Sequence, residues 1–216
     1  MAAALRLHSY FRSSAAYRVR IALELKRLVY EQVSVDLRQD QQRSEDYLKQ
    51  NPEGLVPILE HGDLRLTQSV AILEYLEETF PQTALLPKAP LDRARVRAMM
   101  QMVASDIHPL NNLRVLKYLI GPAGVSREAK EAWYQHWIQL GLAAFEKRLT
   151  ESASGLYCHG DTPSLADCVL IPQVYNAELM NCDLSAMPRV QEIYARCNQR
   201  PEFQRAHPQQ CPDAPQ

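Results

Sequence analysis

The stretch Val56-Pro57-Ile58-Leu59-Glu60-His61-Gly62-Asp63-Leu64-Arg65-Leu66-Thr67-Gln68-Ser69 decides the fold. Val56 to Leu59 begins a strand, and Leu64 to Leu66 makes another. His61-Gly62-Asp63 between them is short enough for a hairpin turn. Gln68-Ser69 then opens a helix whose apolar face, Val70, Leu73, Leu76 and Phe80, recurs at helical spacing. The segment therefore reads strand, strand, helix. Pro57 stands at the first position of its strand, a place tolerated at a sheet edge.

Upstream, two periods alternate. Leu5 to His8 reads as a strand and Arg12-Ser13-Ser14 as a polar turn. Ala15, Val19, Ala22 and Lys26 then recur at helical spacing, with Arg18 and Arg20 turned away from that stripe. Val29 to Val35 alternates as a further strand, and the Gln-rich stretch Asp40 to Gln50 fits a second helix. The first two strands flank a helix and are expected parallel; the last two form a hairpin. This βαβα then ββα order is thioredoxin-like: a small mixed sheet with helices on both sides.

Downstream the composition shifts. Residues 1–81 form the expected α/β domain, and 82–90 a semi-rigid linker between Pro81 and Pro90. Residues 91–216 read as an all-helical domain. Val96, Met100, Val103, Ile107 and Leu110 mark a long helix with Pro109 as a bend. Trp133, Trp137, Leu140 and Ala144 mark another, entered through Ser126 and read as core. The Arg93, Arg95, Arg97 series is read as a solvated surface. Ser164-Leu165-Ala166-Asp167 has the form of a capping box, and the tail from Cys211 to Gln216, with two prolines, is expected to be loose.

Bulk properties narrow the function. Of 216 residues 46% are hydrophobic and 23% charged, a globular balance, and a net charge of −1 offers no field to attract nucleic acid or a membrane surface. No stretch approaches the roughly 18 apolar residues of a membrane span, and the chain start lacks an apolar leader. Five cysteines, all beyond residue 157, fit reduced thiols in a cytoplasmic protein. Cys158, His159 and Asp161 are too few to hold a metal, so none is expected.

Chemistry concentrates at the two helix N-termini of the first domain. Free amides and about half a positive charge there favour a thiolate over a thiol, whose ordinary pKa is about 8.5. A serine hydroxyl at the same place can donate to sulfur; equally, Ser13 or Ser14 can serve as the helix cap. Gln68-Ser69 is suited to gripping a carboxylate through hydroxyl and amide. With no cysteine at the first helix turn, a disulfide oxidoreductase is excluded.

Ser13-Ser14-x-x-Tyr17-Arg18-Val19-Arg20-Ile21-Ala22-Leu23 resembles the signature of the zeta class of the glutathione transferase family. The likeness continues in family order through Val56-Pro57-Ile58-Leu59, Gln68-Ser69-Val70-Ala71-Ile72, Asp106-Ile107-His108-Pro109-Leu110-Asn111-Asn112, Gly160 to Asp167 and Pro172 to Ala177. It implies glutathione as an unconsumed cofactor, a homodimer and a cis bond at Val56-Pro57. Ser13, Ser14 and Arg12 take catalytic positions. Ser13, Ser14, Ala15, Ala16, Tyr17, Arg18, Gln42, Val56, Gln68 and Ser69 surround glutathione, as do His108, Asn112, Leu113 and Arg114. Arg12 and Arg114 are the cations placed for a small dicarboxylate substrate.

The implied activity is the cis–trans isomerisation of maleylacetoacetate to fumarylacetoacetate in phenylalanine and tyrosine catabolism. A thiolate adds to the conjugated double bond, the bond rotates, and the thiolate leaves. Maleylpyruvate isomerisation and general transfer of glutathione to small electrophiles are the alternatives. Two positions depart from the family pattern. Ala15 stands where a cysteine is frequent, and Leu179 where an arginine is usual. The second removes one substrate-facing charge.

Overall fold

A computed structural model describes residues 4–151 and 154–215, so Met1–Ala3 of the chain start and Gln216 of the tail lie outside the described residues. The N-terminal elements are β1 (Leu5–Ser9), α1 (Ser14–Leu25), β2 (Tyr30–Ser34), α2 (Glu45–Gln50), β3 (Ile58–His61), β4 (Leu64–Thr67) and α3 (Ser69–Thr79). The sheet order is β2-β1-β3-β4. β1 and β2 are parallel, with Leu5 opposite Tyr30, whereas β3 runs antiparallel to β1 and to β4. The turn between β3 and β4 needs Gly62, whose φ of +59° suits a residue without Cβ. The Val56-Pro57 bond is cis, as expected. Leu7, Ile58 and Leu59 of the sheet, Val19, Ile21 and Leu23 of α1, and Ile72, Leu73 and Leu76 of α3 are fully buried.

Two readings of this region change. Arg18 and Arg20 turn away from the apolar stripe but not to solvent: they are 2% and 1% exposed. The reason is that α1 packs against α3 and also against α9 (Pro201–Ala206), so more than its apolar stripe is enclosed. Arg20 is satisfied there, donating from Nε to the Ala206 carbonyl at 2.9 Å, from Nη1 to Ser9 Oγ at 3.0 Å and from Nη2 to the Phe11 carbonyl at 3.2 Å. The tail is not loose either. Cys211 lies in an apolar cluster with Tyr10, Phe11, Val35, Tyr47, Val56 and Ile58, with Ala214 packed against it. Asp213 Oδ2 accepts the Phe11 amide at 2.8 Å.

Two compact units result: the chain up to Leu85 together with the segment from Asn198 onward, and residues 86–197 between them. The break at Leu85 falls inside the expected linker, but the last segment, read with the helical region, packs with the α/β unit. The stretch from α3 to Leu85 is fixed by a buried ion pair. Lys26 Nζ donates to Glu77 Oε2 at 2.7 Å, to the Phe80 carbonyl at 3.0 Å and to the Thr83 carbonyl at 2.8 Å. Glu77 in turn accepts the Leu85 amide at 2.9 Å.

The second unit is helical: α4 (Pro90–Gln101), α5 (Leu113–Ile120), α6 (Arg127–Thr150), α7 (Leu165–Leu179) and α8 (Pro188–Asn198). The bend expected at Pro109 is a π-helical stretch, Met102–Ile107, followed by a 3₁₀ turn, His108–Asn111. Ser126 caps α6, accepting the Ala129 amide at 3.1 Å. The core-facing side of α6 is Tyr134, Ile138, Leu142, Phe145 and Leu149, offset from the expected stripe. Trp133 and Trp137 are half-buried and Leu140 is 56% exposed. Trp133 instead anchors the preceding segment, its indole donating to the Leu110 carbonyl at 2.8 Å. At the start of α7 the fully buried Asp167 accepts the Cys158 and Ser164 amides at 2.9 and 2.8 Å, the capping box read from sequence.

Candidate active site

Ser13 is the cap of α1. Its Oγ accepts the Ala16 amide at 3.2 Å, and its own O–H remains a donor for anything beyond the helix end. Ser14 is the first helical residue and is buried, Ala15 is half-buried, and Arg12 stands exposed in the turn. The first turn of α1 contains no acidic side chain to offset the field of its free amides. Between the two serines, then, the half-exposed Ser13 is the one whose hydroxyl can reach a ligand.

Arg18 connects this helix to α3. Its Nη1 donates to Ser69 Oγ at 3.1 Å, while its Nε and Nη2 are buried and find no partner among the described residues. Burial pulls the Arg18 guanidinium down to about 10. A bond received from Arg18 leaves the Ser69 hydroxyl proton free to donate to an anion. Beside it, Gln68 adopts φ +66° and ψ 109°, a sparsely populated conformation for a residue with a side chain. Gln68 Nε2 is tethered to Glu53 Oε2 at 2.8 Å.

The loop before β3 completes the arrangement within this unit. Val56 shares its apolar cluster with Tyr10 and Phe11 of the turn that leads to Ser13. The loop is pinned by Tyr47 and Asn51, whose Oη and Nδ2 donate to the Leu55 carbonyl at 2.7 and 2.8 Å. The Val56 backbone amide and carbonyl take no partner among the described residues. Gln42 is buried, with Nε2 on Asp40 at 3.2 Å and Oε1 unpartnered among the described residues. Ala16 and Tyr17 are buried in α1 and serve as packing.

In the second unit, Asn112 caps α5, its Oδ1 accepting the Arg114 amide at 3.1 Å, and its Nδ2 lies 3.5 Å from His108 Nε2. Leu113 and Arg114 are exposed on the first turn of α5, and Leu179 is 42% exposed at the end of α7. Sequence reasoning missed the burial of Arg18 and Arg20 and the roles of Glu53 and Asp213. The carboxylates left no local signal, since their partners stand far away along the chain.

Residues 3–78 match the model of the glutathione S-transferase N-terminal domain, and residues 114–205 that of its C-terminal domain. The chain belongs to the glutathione S-transferase family. Within that family it is 50% identical over 202 residues to the maleylacetoacetate isomerase of Rhizobium meliloti (strain 1021), spanning 94% of this chain and 95% of that one. Its fold superposes with a TM-score of 0.95 on the holo structure of a maleyl pyruvate isomerase, a bacterial glutathione-S-transferase in the zeta class. The two are 41% identical over 97% of this chain and 100% of the other. The maleylacetoacetate isomerase of Methylobacterium extorquens AM1, solved with malonate and GSH bound, superposes at 0.93. It too is 41% identical, over 98% and 100% of the two chains.

Proposed function

We propose that this glutathione S-transferase is a zeta-class isomerase that uses glutathione to convert maleylacetoacetate to fumarylacetoacetate. The observation that carries the cofactor is the buried Arg18 guanidinium, bonded to Ser69 at the α3 N-terminus and with two of its three nitrogens unpartnered among the described residues. A buried cation without a counter-ion is costly, and the glutamyl carboxylate of glutathione supplies one. When bound, glutathione provides the thiolate nucleophile. Ser13 would donate to the sulfur, and the amides of α1 would favour its anionic form. Val56 offers backbone groups to the peptide, while Gln42 and Gln68 lie at its flanks. Arg12 and Arg114 carry the substrate carboxylates, a task suited to a planar, two-pronged donor.

The substrate assignment follows the relatives, which include isomerases named for maleylacetoacetate and for maleylpyruvate. Malonate bound in one of them supports a dicarboxylate. We place the activity in phenylalanine and tyrosine breakdown, in a cytoplasmic homodimer. The deciding experiment is an assay of the purified protein on both substrates with glutathione. Turnover of maleylpyruvate alone would replace the substrate, and turnover of neither would end the isomerase reading.

Two results test the assigned residues. Ser69→Ala removes a charge-assisted hydrogen bond of about 1.5–3 kcal/mol, so glutathione should bind roughly 10- to 150-fold more weakly by calorimetry. Unchanged affinity would remove Ser69 from the site. Arg114→Ala should raise KM for the dicarboxylate roughly tenfold, one decade for about 1.4 kcal/mol. Conjugation of a neutral electrophile should change little in that variant. Equal losses on both would assign Arg114 to glutathione or to the fold.

A further inference from the structure

We infer that Asp213, near the far end of the chain, is a positioning residue that holds the turn presenting Ser13. The inference rests on the reading of that turn as the place of the glutathione sulfur. Phe11 and Arg12 form the turn between β1 and the Ser13 cap, and Ser13 N closes it on the Tyr10 carbonyl at 2.9 Å. Both polar groups of the Phe11 backbone are bonded. Its amide donates to Asp213 Oδ2 at 2.8 Å, and its carbonyl accepts from Arg20 Nη2 at 3.2 Å. Arg20 is itself fixed on the Ala206 carbonyl. The other oxygen of Asp213 lies 3.5 Å from Gln32 Nε2 on β2.

Side chains reinforce the hold. The Tyr10 and Phe11 rings meet edge-on at 4.8 Å inside the cluster that contains Cys211 and takes Ala214 against it. The turn therefore cannot shift without moving the C-terminal segment. Placement matters because a displacement of about 1 Å at a reacting centre can cost roughly a hundredfold in rate.

The sign of the effect separates positioning from simple electrostatics. A carboxylate near the sulfur opposes a thiolate, so if charge alone mattered, removing it would ease ionisation of the bound thiol. Positioning demands the opposite. In D213A, exchange of the Phe11 amide in the ligand-free protein should accelerate roughly tenfold or more, the worth of a hydrogen bond to a charged group. The thiol of bound glutathione, followed by its ultraviolet absorbance against pH, should ionise at higher pH. Turnover should fall by roughly threefold or more, with glutathione affinity within about twofold of the wild type. D213N keeps an acceptor oxygen and should recover more than half of each loss.

An unchanged Phe11 amide, or a thiol that ionises at the same or lower pH in D213A, would overturn the proposal. If D213A does not fold, D213S, whose hydroxyl is too short to reach Phe11, is read by the same criteria. If neither folds, Asp213 is a fold element and the positioning role falls. A wild type that binds no glutathione ends the functional reading and the proposal with it. A wild type that binds, with D213A behaving identically, ends the proposal alone.

Discussion

Replacing Ser13 by alanine should lower kcat for maleylacetoacetate by two to three orders of magnitude at saturating glutathione. Loss of a single preorganised donor to a developing or resident anion costs about 10²–10³ in rate, and Ser13 Oγ is the hydroxyl that stands open at the head of α1. Its second role complicates the measurement. The same oxygen accepts the Ala16 amide, and losing a cap costs about 1 kcal/mol of stability. Ser13→Gly separates the two, because glycine at a cap costs only a few tenths of a kcal/mol. It should be as inactive as the alanine variant while unfolding close to the wild type. A glycine variant with wild-type turnover would show that the hydroxyl does no chemistry.

The largest loss of stability is expected at Glu77. With Glu77→Ala, the Lys26 ammonium, 1% exposed, is left without its carboxylate, and breaking one side of such a pair costs about 3–5 kcal/mol. For a chain of this size that is a fall in Tm of roughly 6–20 °C, read by calorimetry. Replacing both partners of a buried ion pair by apolar residues often recovers the lost stability, but here it should recover less than half. The pair also bonds the Phe80 and Thr83 carbonyls and the buried Leu85 amide, and that amide would be left unbonded in the interior. A loss below about 1 kcal/mol in Glu77→Ala would mean that water reaches the pair.

What the sequence disclosed follows the range of the interaction. The strands, the hairpin turn at Gly62 and the caps at Ser13, Ser126 and Ser164–Asp167 depend on residues within a few positions of one another. Periodicity and capping rules reach them directly. Lys26 was counted in the apolar stripe of α1 because position alone recommended it, and burial of its stem agrees. The burial of Arg18 and Arg20 was not legible because their partners, Ser69 and Ala206, lie 51 and 186 residues away. Nothing in the α1 pattern announces that α9 covers the helix as well as α3. The same distance hid Asp213, whose composition, beside two prolines, signalled a loose end. Motif order alone groups Ser13, Val56 and Ser69, and all three lie in the first unit. The unpartnered edge of Arg18 emerged only with packing.

The return of the last segment to the first unit bears on how the protein is made. Residues 4–85, which carry β1, α1 and the Ser13 turn, leave the ribosome before Ala206 and Asp213, the partners of the Arg20 guanidinium and the Phe11 amide, have been made. The 86–197 unit must be synthesised first, which at about 5–20 residues per second takes roughly 6–22 s. During that interval the helical unit can fold on its own contacts, whereas Arg20 of the α/β unit waits without α9, which helps to enclose it, and without the Ala206 carbonyl. The order of completion thus inverts the order of synthesis. The half that is translated first is finished last, and the turn before Ser13 gains its Asp213 contact only when the last segment arrives.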